Sequence, residues 1–142
     1  MMPSAFDQGK TSVYDYSKPP KMVMVGSIIY DLIFNQEALD AEAQQTQQSL
    51  IGTCIPTTQE IIISPKLGFD AMRAVVIHEL LHALFSFSGF SNNVGEIEVS
   101  ESRMEEYVVG MLEHPLLALI RDNPELFLWL GRMQMSSPKE ES

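Results

Sequence analysis

His78-Glu79-Leu80-Leu81-His82 places two imidazoles four residues apart, with a carboxylate between them. On a helix, residues four apart lie on one face. Both rings can then reach a single metal ion, and Glu79 stands one step round, beside the remaining coordination position. Two neutral nitrogen ligands and a carboxylate base next to an activated water are what a zinc hydrolase needs. Average composition would produce the pattern by chance in about one of several hundred chains of this length. The chain has only three histidines, and two of them fall in this run. The alternative is a satisfied structural His pair. Against it, two His and one Glu in so apolar a helix are costly unless paired or liganded.

A catalytic zinc site takes three protein ligands and a water. After His82 the chain reads Ala83-Leu84-Phe85-Ser86-Phe87-Ser88, so no third histidine follows at the spacing of the longer zinc motifs. The remaining histidine, His114, precedes Pro115 at the expected end of a helix. Glu96, Glu98, Glu101, Glu105 and Glu106 offer carboxylates instead. Glu105, Val108, Val109 and Leu112 fall at i, i+3, i+4 and i+7, one helical stripe. Glu105 is therefore the expected third ligand, with Glu106, Glu101 and His114 as alternatives. A capping box with Ser102 is the competing role for Glu105.

The elements that must hold these groups can be read from patterning. Lys21 to Phe34 is rich in β-branched and aromatic residues and predicts one strand, or two with a break at Gly26. Asn35 to Gln48 is polar and helix-favouring, which fits a short exposed helix or a loop. Ser49 to Pro56, Thr57-Thr58-Gln59 and Glu60 to Ser64 predict strand, turn and strand, with Pro56 at the turn or an edge. Ile61-Ile62-Ile63 is either an edge strand beside the motif helix, open to an added peptide strand, or a buried core strand. Asp70 is the expected N-cap of a helix from Ala71 to about Phe87, closed by Ser88-Gly89. A second helix is expected from Ser102 to a break near Pro115. A third should cover Leu116 to Arg121, and a last one, opened by Pro124, should reach Met133. Residues 1 to 20 and the stretch from 135 to 142 predict a flexible arm and a disordered tail around one domain, residues 21 to 134.

Composition narrows the classes. The formal charge is −10, and the nine Lys and Arg are scattered, which argues against nucleic acid as a partner. No apolar run is long enough to span a bilayer, and the N-terminal residues lack the pattern of a secretory signal. Cys54 is the single cysteine, so neither an intrachain disulfide nor a cysteine zinc cluster can form. That fits a reducing cytoplasm.

The H-E-L-L-H helix, the following Glu-Glu-Tyr-Val-Val helix and the Arg121-Asp122-Asn123-Pro124-Glu125-Leu126 run resemble the small minimal zincin metallopeptidases of bacteriophages and prophages. More distantly, they resemble the ImmA/IrrE type of bacterial metallopeptidase. The likeness covers residues 21 to 131. It implies an α+β, minimal zincin-like fold: a small sheet packed on the motif helix, a glutamate-bearing helix and C-terminal helices. It also implies a Zn2+ cofactor held by His78, His82 and a glutamate of the second helix, with Glu79 as general base. The partner it implies is a protein or peptide substrate, in the host cytoplasm if the chain is phage-encoded. A non-catalytic, zinc-stabilised binding or structural protein of phage origin is the alternative. An acidic inhibitor carrying a relic of the motif is a further one.

Overall fold

The computed structural model of the chain describes residues 17–47, 50–89 and 101–132, with side chains in the last stretch from Arg103 onward. The expected N-terminal arm through residue 16 and the tail from 135 lie outside the described residues, as do Glu96 and Glu98. The architecture is α+β. Four strands, β1 (Met22–Val25), β2 (Ile28–Phe34), β3 (Gly52–Ile55) and β4 (Glu60–Ile63), form one mixed sheet in the order β1-β2-β4-β3. Among the described residues the helices are α1 (Gln36–Thr46), α2 (Phe69–Ser88), α3 (Glu101–Asp122) and α4 (Pro124–Leu130). None of the described helices is long and apolar enough to cross a membrane.

Gly26 divides the first strand segment in two. Val25 pairs with Ile28, leaving Gly26 and Ser27 as the loop, and Gly26 has φ +61°. A glycine with positive φ at the first central position is what a II′ hairpin turn asks for. The site is also crowded, since a Cβ there would stand 2.2 Å from the Phe87 ring at the end of α2.

Asn35 starts α1 by accepting a hydrogen bond from the Ala38 N–H through Oδ1 at 2.9 Å, the usual N-cap device. Leu39 is the buried residue of that helix, so a polar segment is held by a single apolar anchor. Ser64 Oγ adds a tether by donating to Gln36 Oε1 at 2.7 Å.

The three consecutive isoleucines make β4 a central strand, parallel to β2 and antiparallel to β3. Alternation along a strand sends neighbouring side chains to opposite faces. Ile61 and Ile63 accordingly join the main core with Val23, Val25, Tyr30, Val76, Leu80 and Leu84, while Ile62 and Leu39 are buried outside that cluster. The edge strand beside α2 is β3, not the isoleucine strand, because a segment apolar on both faces needs cover on both.

Two helix boundaries depart from expectation. Asp70 is not the N-cap of α2. Gly68 takes that place without a side-chain bond, and Asp70 sits in the first turn, paired with Arg73. Packing extends the helix backward: Phe69 meets Trp129 edge-on at 6.5 Å, and the Arg73 guanidinium lies 4.2 Å over the Phe69 ring. The break expected at Pro115 does not occur. α3 runs through it from Glu101 to Asp122. Half-buried Pro115 lies on the inward stripe with Met104, Val108, Met111, Ala118 and Leu119, and that packing outweighs the hydrogen bond proline removes. The C-terminal helix starts at Pro124 as expected and ends at Leu130, before the expected Met133.

Candidate metal centre

The motif lies in the middle of α2. Val76, Leu80, Ala83 and Leu84 are buried, a spacing of i, i+4, i+7 and i+8 that turns one face of the helix to the sheet. This geometry puts His78 and His82 on the exposed side, one turn apart. Glu79, one step round from His78, is carried inward to 6 % exposure.

The His78 and His82 Nε2 atoms stand 3.2 Å apart, and the rings meet edge to face at a centroid distance of 4.9 Å. Two nitrogens bound to one tetrahedral zinc at about 2.0–2.1 Å would lie about 3.3 Å from each other. The separation is that of two ligands on one ion, and it is also within reach of a hydrogen bond between the rings.

Glu79 lies against β3. A Cβ on Gly52 would stand 3.3 Å from its Cγ and 3.4 Å from its Oε1. Burial pushes the Glu79 carboxyl above its ordinary range, while His82 and His78 draw it back down. The motif opens on a cleft of about 510 Å³, whose other wall is β3 and the turn after it, with Thr53, Cys54 and Pro56. Ser86, one turn beyond His82, continues the helical wall. Burial, reinforced by Glu79, pushes the Cys54 thiol up to about 11.

The expected third ligand is not brought to the pair. Among the described residues, no group of three His, Cys, Asp or Glu side chains could hold a metal ion. Glu105, Glu106 and His114 are all exposed on α3. The stripe proposed for Glu105 is not the buried one: Val109 on it is 54 % exposed, and the inward face runs through Met104, Val108, Met111 and Leu119 instead. At ~100° per residue, Glu105 flanks that face and Glu106 lies opposite it.

Sequence reasoning overlooked Gly52 and Cys54 as site residues. A signal for Gly52 existed, since glycine inside a strand pattern marks close approach of another backbone or ligand. Cys54 carried none, because a lone cysteine in a strand reads as core. No protein-family model, curated protein or solved structure matches the chain.

Proposed function

We propose that the chain is a zinc-dependent peptidase. The observation that carries this reading is the convergence of the His78 and His82 Nε2 atoms at 3.2 Å at the mouth of a cleft where a buried Glu79 is the adjacent carboxylate. A structural zinc site is closed, whereas a catalytic one keeps a position open to solvent. The exposed His pair on an open cleft supports the catalytic alternative.

His78 and His82 would hold the ion; among the described residues no third protein ligand stands with them. Zinc bound there supplies Lewis-acid activation of water and of the scissile carbonyl. Glu79 is the general base: its carboxylate takes the water proton and passes it to the leaving amine. A carboxyl raised by burial is a stronger base than a solvated one, which suits that transfer. β3 is an edge strand and borders the cleft. It can receive an extended peptide as a further strand and so present an amide bond beside Glu79.

Elemental analysis of protein purified without chelator, joined to mass spectrometry of peptide mixtures incubated with it, tests the proposal. The expected results are one zinc per chain and cleavage products. Cleavage is lost in Glu79→Gln with zinc retained, and zinc is lost in His78→Ala and His82→Ala. Full zinc in either His variant would place the metal elsewhere. Zinc without cleavage would make the site structural.

A further inference from the structure

α3 is apolar on two sides. Its inward stripe runs through Met104, Val108, Met111 and Leu119. Val109, Leu116, Leu117 and Ile120 lie on the opposite side, between 39 % and 61 % exposed. At ~100° per residue these four fall within one arc of about 100°, so they form a continuous strip. A helix with one apolar side buries that side, and a helix apolar on two sides needs cover on both. Among the described residues, the strip stands open to solvent. Gly110 lies at its margin. It is exposed, and a Cβ there would meet no atom within 4 Å. After proline, glycine is the least favourable residue in a helix interior, and no neighbour among the described residues requires it at this position. Its effect is a shallow notch in the outer surface of α3, two turns from Leu117.

We propose that this strip is a dimer interface, in which α3 packs antiparallel on α3 of a second copy about a two-fold axis passing between Glu113 and His114. A two-fold contact uses the same patch on both chains and must be complementary to itself. The strip meets that condition in shape and in charge. Residues equally distant from the axis meet in this alignment. Gly110 faces Leu117 of the second copy, so the most exposed aliphatic side chain of the strip enters the notch that the missing Cβ leaves, once on each side of the axis. Glu106 faces Arg121 of the second copy. The Arg121 guanidinium donates from Nε and Nη2 to Asp122 of its own chain at 2.9 and 3.2 Å, which leaves Nη1 for the incoming carboxylate. Glu113 faces His114 rather than another carboxylate. A parallel pair in register would instead set Glu106 against Glu106 and Glu113 against Glu113, and like charges in contact oppose association. Burial of the four aliphatic side chains against their copies supplies the drive.

Sedimentation equilibrium of the full chain tests the proposal. The measurement belongs at about 100 µM chain, above the micromolar end of protein interfaces. It also needs about 0.15 M salt, where repulsion between two chains of formal charge −10 is screened beyond about 8 Å. The parent should show the mass of two chains. Leu117→Glu should show the mass of one, with its far-ultraviolet circular dichroism unchanged. Glu106→Arg should weaken the dimer about tenfold, and adding Arg121→Glu to it should restore most of the loss. In a Cys54→Ser background, Glu113→Cys should form an interchain disulfide on mild oxidation, because its two copies face each other across the axis. Glu106→Cys should not, since its two copies stand about 22 Å apart along the antiparallel pair. A single-chain mass for the parent would overturn the interface and leave the strip to another segment or partner. A two-chain mass that survives both Leu117→Glu and Glu106→Arg would place the dimer contact elsewhere, and equal cross-linking through both cysteines would make the pair parallel; either result overturns the proposal. If Leu117→Glu does not fold, the charge exchange and the cross-links, all at exposed positions, decide. None of these readouts depends on zinc or on hydrolysis.

Discussion

Gly52 on β3 lies so close to Val75 on α2 that a Cβ added to it would stand 2.6 Å from Val75 Cγ1. The edge strand can approach the motif helix only because this position has no side chain. The approach also brings backbone against the Glu79 side chain. Replacing glycine with alanine inside a strand ordinarily gains about 0.5–1 kcal/mol. Here the clash dominates: Gly52→Ala should cost about 1–3 kcal/mol, the usual range for overpacking a tight site. Denaturant unfolding of the parent and the variant measures it. A variant as stable as the parent would show that β3 is free to lift away.

Glu79 should oppose folding of the metal-free protein at neutral pH. Its carboxyl is raised first by burial, with His82 and His78 acting in the other direction. A group whose folded-state pKa lies above its unfolded value favours the fold fully only below the unfolded value. That contribution is lost as pH rises through the folded one. Glu79→Gln should therefore be more stable than the parent at pH 7 to 8 in chelator, and the gap should close as pH falls toward the ordinary glutamate value of about 4.3. Urea midpoints of both proteins across that range provide the test. A gap that stays constant on acidification would contradict it.

Cys54 should be a slow nucleophile despite lining an open cleft. With its thiol pushed up to about 11 by burial and by Glu79, the thiolate fraction at pH 8 is about a hundredfold below that of an ordinary cysteine. Iodoacetamide labelling followed by mass spectrometry should be slow at pH 8, accelerate toward pH 11, and become fast in denaturant. Native labelling at the denatured rate would refute the assignment.

Asn123 should be worth more than its place in a turn suggests. It is buried and joins α3 to the outer strand. Oδ1 accepts from the Met24 N–H at 2.8 Å, and Nδ2 donates to the carbonyls of Met24 at 2.7 Å and Leu119 at 2.9 Å. The amide thus pairs with the open edge of β1 as a neighbouring strand would. Asn123→Ala leaves those backbone groups without partners, and about 1–3 kcal/mol of stability should be lost. A loss within ±0.5 kcal/mol, typical of surface positions, would mean that water replaces the amide at no cost.

What the sequence by itself determined is local. The H-E-x-x-H spacing joined two imidazoles on one helix face, because four residues make about one turn. Gly26 broke a strand where a tight turn needs positive φ, and the strand–turn–strand after Ser49 followed from two short apolar runs separated by the Pro56 turn. Tertiary contacts decided the rest. Which strand forms the edge depends on what covers each face: Ile61-Ile62-Ile63 went to the centre, and the less apolar β3 took the rim. Pro115 stayed helical because its neighbours pack inward, an energy no local propensity contains. The inward stripe of α3 passed through Met104, Val108 and Met111 and left Glu105 at its flank, since a helix with apolar residues at both 108 and 109 fits more than one stripe and only its neighbours choose between them. The contact of β3 with α2 beside Glu79 has the same origin. Leu50 to Gly52 and Ala74 to Val75 are separated by more than twenty residues of chain, and only the docking of β3 on α2 brings them face to face.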